Sequence, residues 1–227
     1  MRRLFYLSLI TIVALSSCSK NNDSSTNPGI TIEGKVYNTV VIGSQTWTST
    51  SYDGPGGTVV PGINEANCGK LYTWAEALAV TLPAGWRIPT QDDFNTLLKS
   101  QGTVTGSNYF YSTVVLDSAS AAGHLLSSGG WTYSGDNKSG FNAEPTGEYY
   151  PYINQFQDTY AIAMFWSSTI RPDGYNSANS PLQQILLSLS GYKSSHDSGS
   201  KPIVAGGTFE EDAGASICLS IRFVKDN

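Results

Sequence analysis

The spacing of apolar residues changes period twice along the chain. Over residues 31–43 β-branched residues flank Gly34, which predicts a hairpin or two short strands, and Gln45-Thr46-Trp47-Thr48 continues the strand pattern with Trp47 in the core. Residues 51–69 carry five glycines and two prolines and read as a loop. The period then becomes helical. Thr73 and Glu76 have the spacing of a capping box, followed by Trp74, Ala77 and Leu78 on one face and a stop at Leu82-Pro83. Thr90 and Asp93 repeat the device with Phe94, Leu97 and Leu98, ending at Gln101-Gly102. Residues 83–89 between them read as a hinge with Trp86 and Ile88 in the core, so Trp86→Ala is expected to cost ~3–5 kcal/mol. A third short helix is expected over 117–126, capped by Asp117 or Ser118, with His124 as a packed or capping residue.

Beyond the third helix the pattern turns to glycine-rich loops and aromatic-rich strands. Trp131-Thr132-Tyr133, Tyr149-Tyr150-Pro151-Tyr152 and residues 160–169, 182–189 and 217–224 all read as extended. The last of these alternates imperfectly, which suits a central strand buried on both faces. Two or three helices early and strands late predict an α+β fold with mainly antiparallel strands and long loops.

The start of the chain has a different character. Met1-Arg2-Arg3, an apolar run over 4–15 and Ser16-Ser17-Cys18 follow the order of an export signal, and the run is short of the ~20 residues that span a bilayer. Leu15-Ser16-Ser17-Cys18 resembles the bacterial lipobox, in which the cysteine is lipidated. The expected organisation is therefore a signal peptide at 1–17, a lipid-anchored polar tether at 18–29 and one domain at 30–227. Such a protein is exported and held on the outer membrane, on its periplasmic side or at the cell surface, by a lipid anchor alone. Without Arg2 and Arg3 the balance is 11 basic against 18 acidic side chains, which argues against nucleic acid and anionic lipid as partners. With Cys18 lipidated, Cys68 and Cys218 remain, and in an oxidising setting they either pair or stay free.

The order of short motifs carries a resemblance. Gly34-Lys35-Val36-Tyr37, Ile42-Gly43-Ser44-Gln45-Thr46-Trp47, Gly69-Lys70-Leu71-Tyr72-Thr73-Trp74, Gly85-Trp86-Arg87-Ile88-Pro89-Thr90, Ala122-Gly123, Ser139-Gly140-Phe141-Asn142-Ala143, Phe165-Trp166-Ser167-Ser168-Thr169 and Ser220-Ile221-Arg222-Phe223-Val224 occur in sequence. Together they look like the Fibrobacter succinogenes major paralogous domain, over about residues 33–226. That family is found largely on exported proteins of Bacteroidetes and has no established general activity. The resemblance implies a C-type lectin-like fold, distantly similar to the formylglycine-generating enzymes. Many members carry cysteines where this chain has Leu82 and Phe223, so a bridge between Cys68 and Cys218 would be a relocated one.

No catalytic set emerges. Formylglycine-generating chemistry needs a reactive cysteine pair late in the fold, and only Cys218 lies there. Ser195-His196-Asp197 are adjacent, whereas a triad converges from separate elements. Neither histidine has a ligand-spaced partner, so zinc is not expected. Glu144-Pro145-Thr146 resembles the Glu-Pro-Asn calcium and sugar motif of C-type lectins but sits where the family has a turn. Glu210-Glu211-Asp212 reads as a solvated acidic loop, so no cofactor and no calcium is expected. The candidate ligand-binding group is Trp131, Tyr133, Tyr149, Tyr150 and Tyr152, whose rings suit sugar stacking or protein contact; the competing role for each is core or strand surface. The expected function is non-catalytic binding of a glycan or a surface protein, with a structural part in a fimbria or envelope assembly as the alternative.

Overall fold

The computed structural model describes residues 28–63, 68–105, 114–116, 119–133, 135–170, 183–192, 203–212 and 217–227. The signal segment, Cys18 and Ser195-His196-Asp197 lie outside the described residues. The fold is α+β, with small, mainly antiparallel sheets and three short helices among the described residues.

The first predicted hairpin forms as β1 (Ile30–Ile32) and β2 (Lys35–Tyr37), turning through Glu33 and Gly34 at φ 46° and 84°. β3 (Thr39–Ile42) and β4 (Gln45–Thr48) form a second hairpin. The last strand, β12 (Val224–Asp226), pairs with the other edge of β4, Val224 opposite Trp47, so the beginning and end of the described chain share one sheet.

Both capping boxes are present. Helix α1 (Trp74–Ala79) opens on Thr73, whose hydroxyl accepts from the Glu76 N–H while Glu76 accepts from the Thr73 N–H at 2.8 Å. Helix α2 (Gln91–Gln101) opens on Thr90 in the same way, with Asp93 returning the bond at 2.8 Å. Asp93 also accepts from Gln45 at 2.8 Å and from Arg87 at 2.5 and 3.1 Å, and Arg87 reaches Asp226 at 2.9 Å. The shorter acid at this third helical position thus ties α2 to β4, the hinge and the last strand at once.

Phe94, Leu97 and Leu98 of α2 are fully buried, and the Phe94 ring stacks on Trp47 at 5.6 Å. In α1 the expected face is narrower. Ala77 is buried and Trp74 packs beside it, donating its ring N–H to the Ser167 carbonyl at 2.9 Å, but Leu78 is 44% exposed. A six-residue helix presents one line of contact, and the extended Val80 ends it before Leu78 can turn inward. Trp86 is likewise corrected from core to half-buried: one side packs on the second apolar cluster, and the Lys225 ammonium lies 5.6 Å from the ring centre.

The third helix, α3 (Ala119–Gly123), is shorter than expected. The larger sheet has the order β5 (Val104–Thr105), β6 (Val114–Leu116), β11 (Ile203–Asp212), β10 (Gln183–Tyr192), β9 (Ile162–Ile170). Glu210, Glu211 and Asp212 therefore belong to a strand opposite Ile185, Gln184 and Gln183, which corrects the reading of a loop. Trp131-Thr132-Tyr133 form bends rather than a strand.

Residues 217–224 are extended and buried throughout, as expected, yet they form no single ladder. Cys218 exchanges backbone bonds with Tyr149, Leu219 with Tyr72, Ser220 with Met164 and Trp166 and Val224 with Arg87, while the Phe223 carbonyl accepts from the Thr48 N–H and its N–H donates to the Thr48 hydroxyl. Each residue serves a different neighbour, because both edges and both faces of this segment are enclosed.

Arg222, within this segment, is fully buried. It donates to the Thr48 carbonyl at 2.8 Å and the Asn142 carbonyl at 2.9 Å, and its guanidinium lies 4.9 Å from the Phe141 ring centre and 5.5 Å from that of Phe165. Burial lowers its pKa below the ordinary arginine value.

Removing the guanidinium strands two carbonyls and opens a void between two rings, so Arg222→Ala is expected to destabilise by about 3–5 kcal/mol. Trp47→Ala should cost about as much by loss of a fully enclosed ring, while Trp86→Ala should cost about 1–2 kcal/mol because its ring is only partly buried at the edge of the second cluster. Urea unfolding of the three variants checks the ranking; equal losses at Trp86 and Trp47 would contradict it.

Candidate functional site

The features that face solvent with chemical variety gather around one hairpin and one cavity. β7 (Glu148–Tyr150) and β8 (Gln155–Gln157) form an antiparallel hairpin, Tyr149 opposite Phe156. Gly147 turns the chain into it at φ 64°, where a Cβ would sit 2.1 Å from the Gln157 carbonyl oxygen, so no larger residue fits. The base of the hairpin is held by Tyr149 bonding Cys218 and Gly147 bonding the Ile162 carbonyl.

The five candidate aromatics separate into distinct roles. Trp131 is buried in the main core and donates its ring N–H to Ser127 Oγ at 2.9 Å and the Ala143 carbonyl at 3.1 Å, which removes it from the ligand-facing set. Its ring is needed to close the core over α3, so its polar edge is spent inside the fold. Tyr133 lies in a bend, half-buried. Tyr149 is half-buried, its ring 4.6 Å from Phe156 and its hydroxyl donating to Asn154 at 2.9 Å. Tyr150 meets Tyr152 edge-on at 5.9 Å. Tyr152, at the hairpin tip, is 67% exposed and adjoins the exposed Ile153. The structure thus brings Tyr149, Tyr150 and Tyr152 onto one hairpin.

Beside this hairpin lies a cavity of about 180 Å³, lined by Gly62, Ile63, Gly130, Glu144, Pro145 and Tyr160, with Cys68 also on its wall. Ile63, on the cavity wall, packs against Val60, Leu71 and Cys218, the small cluster on which Tyr149 and Phe156 of the hairpin also pack. Glu144 is held by Ser127 Oγ at 3.1 Å and by Asn142 Nδ2 at 3.4 Å. Ser127 Oγ also lies 2.7 Å from the Gly129 carbonyl, and one hydroxyl proton cannot serve both acceptors. The carboxylate therefore keeps accepting capacity. Burial raises its pKa above the ordinary glutamate value, against the opposing pull of the Ser127 bond and the Arg222 charge.

Tyr160 was read from the sequence as the start of a strand. The strand begins at Ile162, and Tyr160 instead adopts φ 70°, a left-handed conformation rare for a bulky side chain. Its N–H donates to the Pro145 carbonyl at 2.9 Å and its carbonyl accepts from Thr132 at 3.0 Å, so the surroundings impose that conformation. The ring is 47% exposed on the cavity wall. No local signal marks it, because the bonds that set it come from residues 15 and 28 positions away.

Cys68 and Cys218 are both buried, and both are free thiols in this structure. Cys218 packs with Val60 and Leu71, while Cys68 faces the cavity beside Glu144, so the two thiols serve different environments. Burial pushes the Cys68 thiol up to about 12, helped by the Glu144 charge, and the Cys218 thiol up to about 11. Glu144-Pro145-Thr146 gives the cavity one carboxylate, with Thr146 turned inward to Ser220 Oγ at 3.1 Å. Among the described residues no group of three or more histidine, cysteine or acidic side chains is placed to hold a metal, and no helix is long and apolar enough to cross a membrane. A second, open hollow of about 220 Å³ lies at Glu33, Tyr52, Gly56 and Glu76, where Tyr52 donates to Glu33.

The family model for the Fibrobacter succinogenes major domain matches residues 19–225, so the chain belongs to that family. Neither the curated proteins nor the solved structures contain a match.

Thiols raised this far remain protonated near neutrality. Cys68 and Cys218 should resist alkylation at about pH 8 in the native protein and react fully in denaturant, read by peptide mass spectrometry. Failure to react in denaturant without reductant would show a bridge. Glu144 and Glu148 are both raised by burial, so the folded state holds protons that the unfolded state releases. Their contribution is present below the ordinary glutamate value and is lost as pH rises through their raised values, so Glu148→Gln should flatten the fall in melting temperature as pH rises above the ordinary glutamate value. An unchanged slope would contradict this.

Proposed function

We propose that this Fibrobacter succinogenes major domain is the binding module of an exported, lipid-anchored envelope protein, recognising a glycan or a protein partner without catalysis. The reading includes a C-type lectin-like arrangement, which is supported by the pairing of the first and last strand regions, the two capped helices and the loops that carry the exposed aromatics. Lipid anchoring is supported by the basic, apolar and small-residue order that ends at Cys18, directly before the family match at residue 19.

The observation that carries the reading is the exposed aromatic edge of the β7–β8 hairpin. Tyr152 is held edge-on by Tyr150 and adjoins Ile153, and the cavity wall includes Glu144, Pro145 and Tyr160 from the chain on either side of the hairpin. Rings with two rotatable bonds and a polar tip lose little entropy on binding and suit both sugar faces and protein surfaces. Two observations argue against thiolate catalysis: both domain cysteines are buried, and their pKa values are raised rather than lowered.

Screening the full-length protein on a glycan array and against outer-membrane protein extracts tests the reading. Tyr152→Ala should weaken the selected interaction roughly tenfold, about 1.4 kcal/mol, with no change in melting temperature, because the side chain is largely solvent-exposed. Co-purification with a fimbrial or envelope assembly, without separable binding, would favour the structural role instead.

A further inference from the structure

We infer that the cavity between Gly62, Gly130, Glu144 and Tyr160 is a calcium-independent subsite for one hydroxylated six-membered ring, a single sugar unit of a larger glycan. The inference rests on the glycan arm of the proposed function and assigns it a specific place.

Size is the first constraint. A cavity of ~150 Å³ accommodates a benzene-sized ring, and the space here is about 180 Å³ and open to solvent on one side. One six-membered ring fits with part of its hydroxyls at the opening, and two rings do not. Wall chemistry is the second. Ile63, Pro145 and the Tyr160 ring offer apolar surface, while Gly62 and Gly130 contribute no side chain at all. Gly62, at φ 79°, lies where a Cβ would come within 3.2 Å of the Tyr160 hydroxyl, so a larger residue there would crowd the ring that forms the wall. A flat ligand with apolar C–H faces matches these walls.

The carboxylate is the third constraint. Glu144 shares one hydroxyl proton with a competing carbonyl and takes a long bond from Asn142, so it has acceptor positions left for a ligand's donors. Its charge is already opposed by buried Arg222, which favours a neutral ligand with paired hydroxyls over an ammonium. One carboxylate without companion hard ligands is a poor calcium site.

Tyr160 supplies the fourth. A bulky residue at φ 70° is a strained arrangement, maintained by backbone bonds to Pro145 and Thr132, and it aims the ring at the cavity. Glycine at this position would remove the backbone strain.

That last point gives a test which separates binding from architecture. Full-length protein, in a detergent lacking a sugar headgroup and with EDTA present, is titrated by calorimetry and saturation-transfer NMR with a panel of neutral hexoses and N-acetylhexosamines. At least one should bind at a single saturable site. Tyr160→Gly should weaken it at least tenfold while leaving the melting temperature equal or higher, and Glu144→Gln should weaken it without loss of folding. A Tyr160→Gly variant that melts lower and binds normally would overturn the inference, as would binding that appears only with calcium. If the array identifies glycans that no monosaccharide displaces, and that depend on Tyr152 but not Tyr160, the subsite is wrong and the binding function stands. If no glycan binds at all, the glycan reading itself fails.

Discussion

A single buried cation holds three parts of this fold in register. Arg222 is enclosed on all sides, and the energetic cost of removing a guanidinium from water is offset by two backbone carbonyls and two aromatic faces. One carbonyl belongs to the end of β4, the other to the loop at residues 141–142, and the rings come from that loop and from β9. Guanidinium geometry suits this task because its donors diverge in a plane while its faces remain open for stacking. An ammonium would present a point charge and no face. The same charge acts on Glu144, so the core and the cavity wall are electrostatically linked.

Around that cation the last described segment acts as a spine. Residues 218–224 bond partners spread along the chain, from the hairpin at Tyr149 to the hinge at Arg87. Regular ladders would join two strands; this arrangement joins five regions through one strand's worth of backbone. The loops and short elements of the domain are individually too small to be stable, and their order comes from this shared connection. It also explains why the hairpin can project exposed tyrosines: its base is fixed by Cys218 and Ile162 backbone groups, leaving its tip free of structural duty.

What the sequence disclosed, and what it withheld, follows the range of the interactions. Both capping boxes and the burial of Phe94, Leu97 and Leu98 were legible because their causes lie within one or two helical turns. The hairpin turn at Gly34 and the enclosed Trp47 were legible for the same reason. Leu78 and Trp86 were not, because whether an apolar side chain on a short element is covered depends on distant neighbours. Trp131 looked like a ligand-facing aromatic, yet its indole N–H is satisfied by Ser127 and Ala143. At the candidate site, the tyrosine pair at 149–150 and Tyr152 stood out by composition. The cavity did not, since its walls come from residues near 62, 130, 144 and 160 and include two glycines that leave no compositional trace.

The pairing of β12 with β4 also governs the order of events in folding. A chain that emerges from its beginning must carry residues 45–48 unpaired on one edge, and Asn142 and Thr48 without their cation, until residues 222–226 arrive. Contacts that span nearly the whole length are slow to form and leave apolar surface uncovered in the interim. The domain therefore has little opportunity to close early.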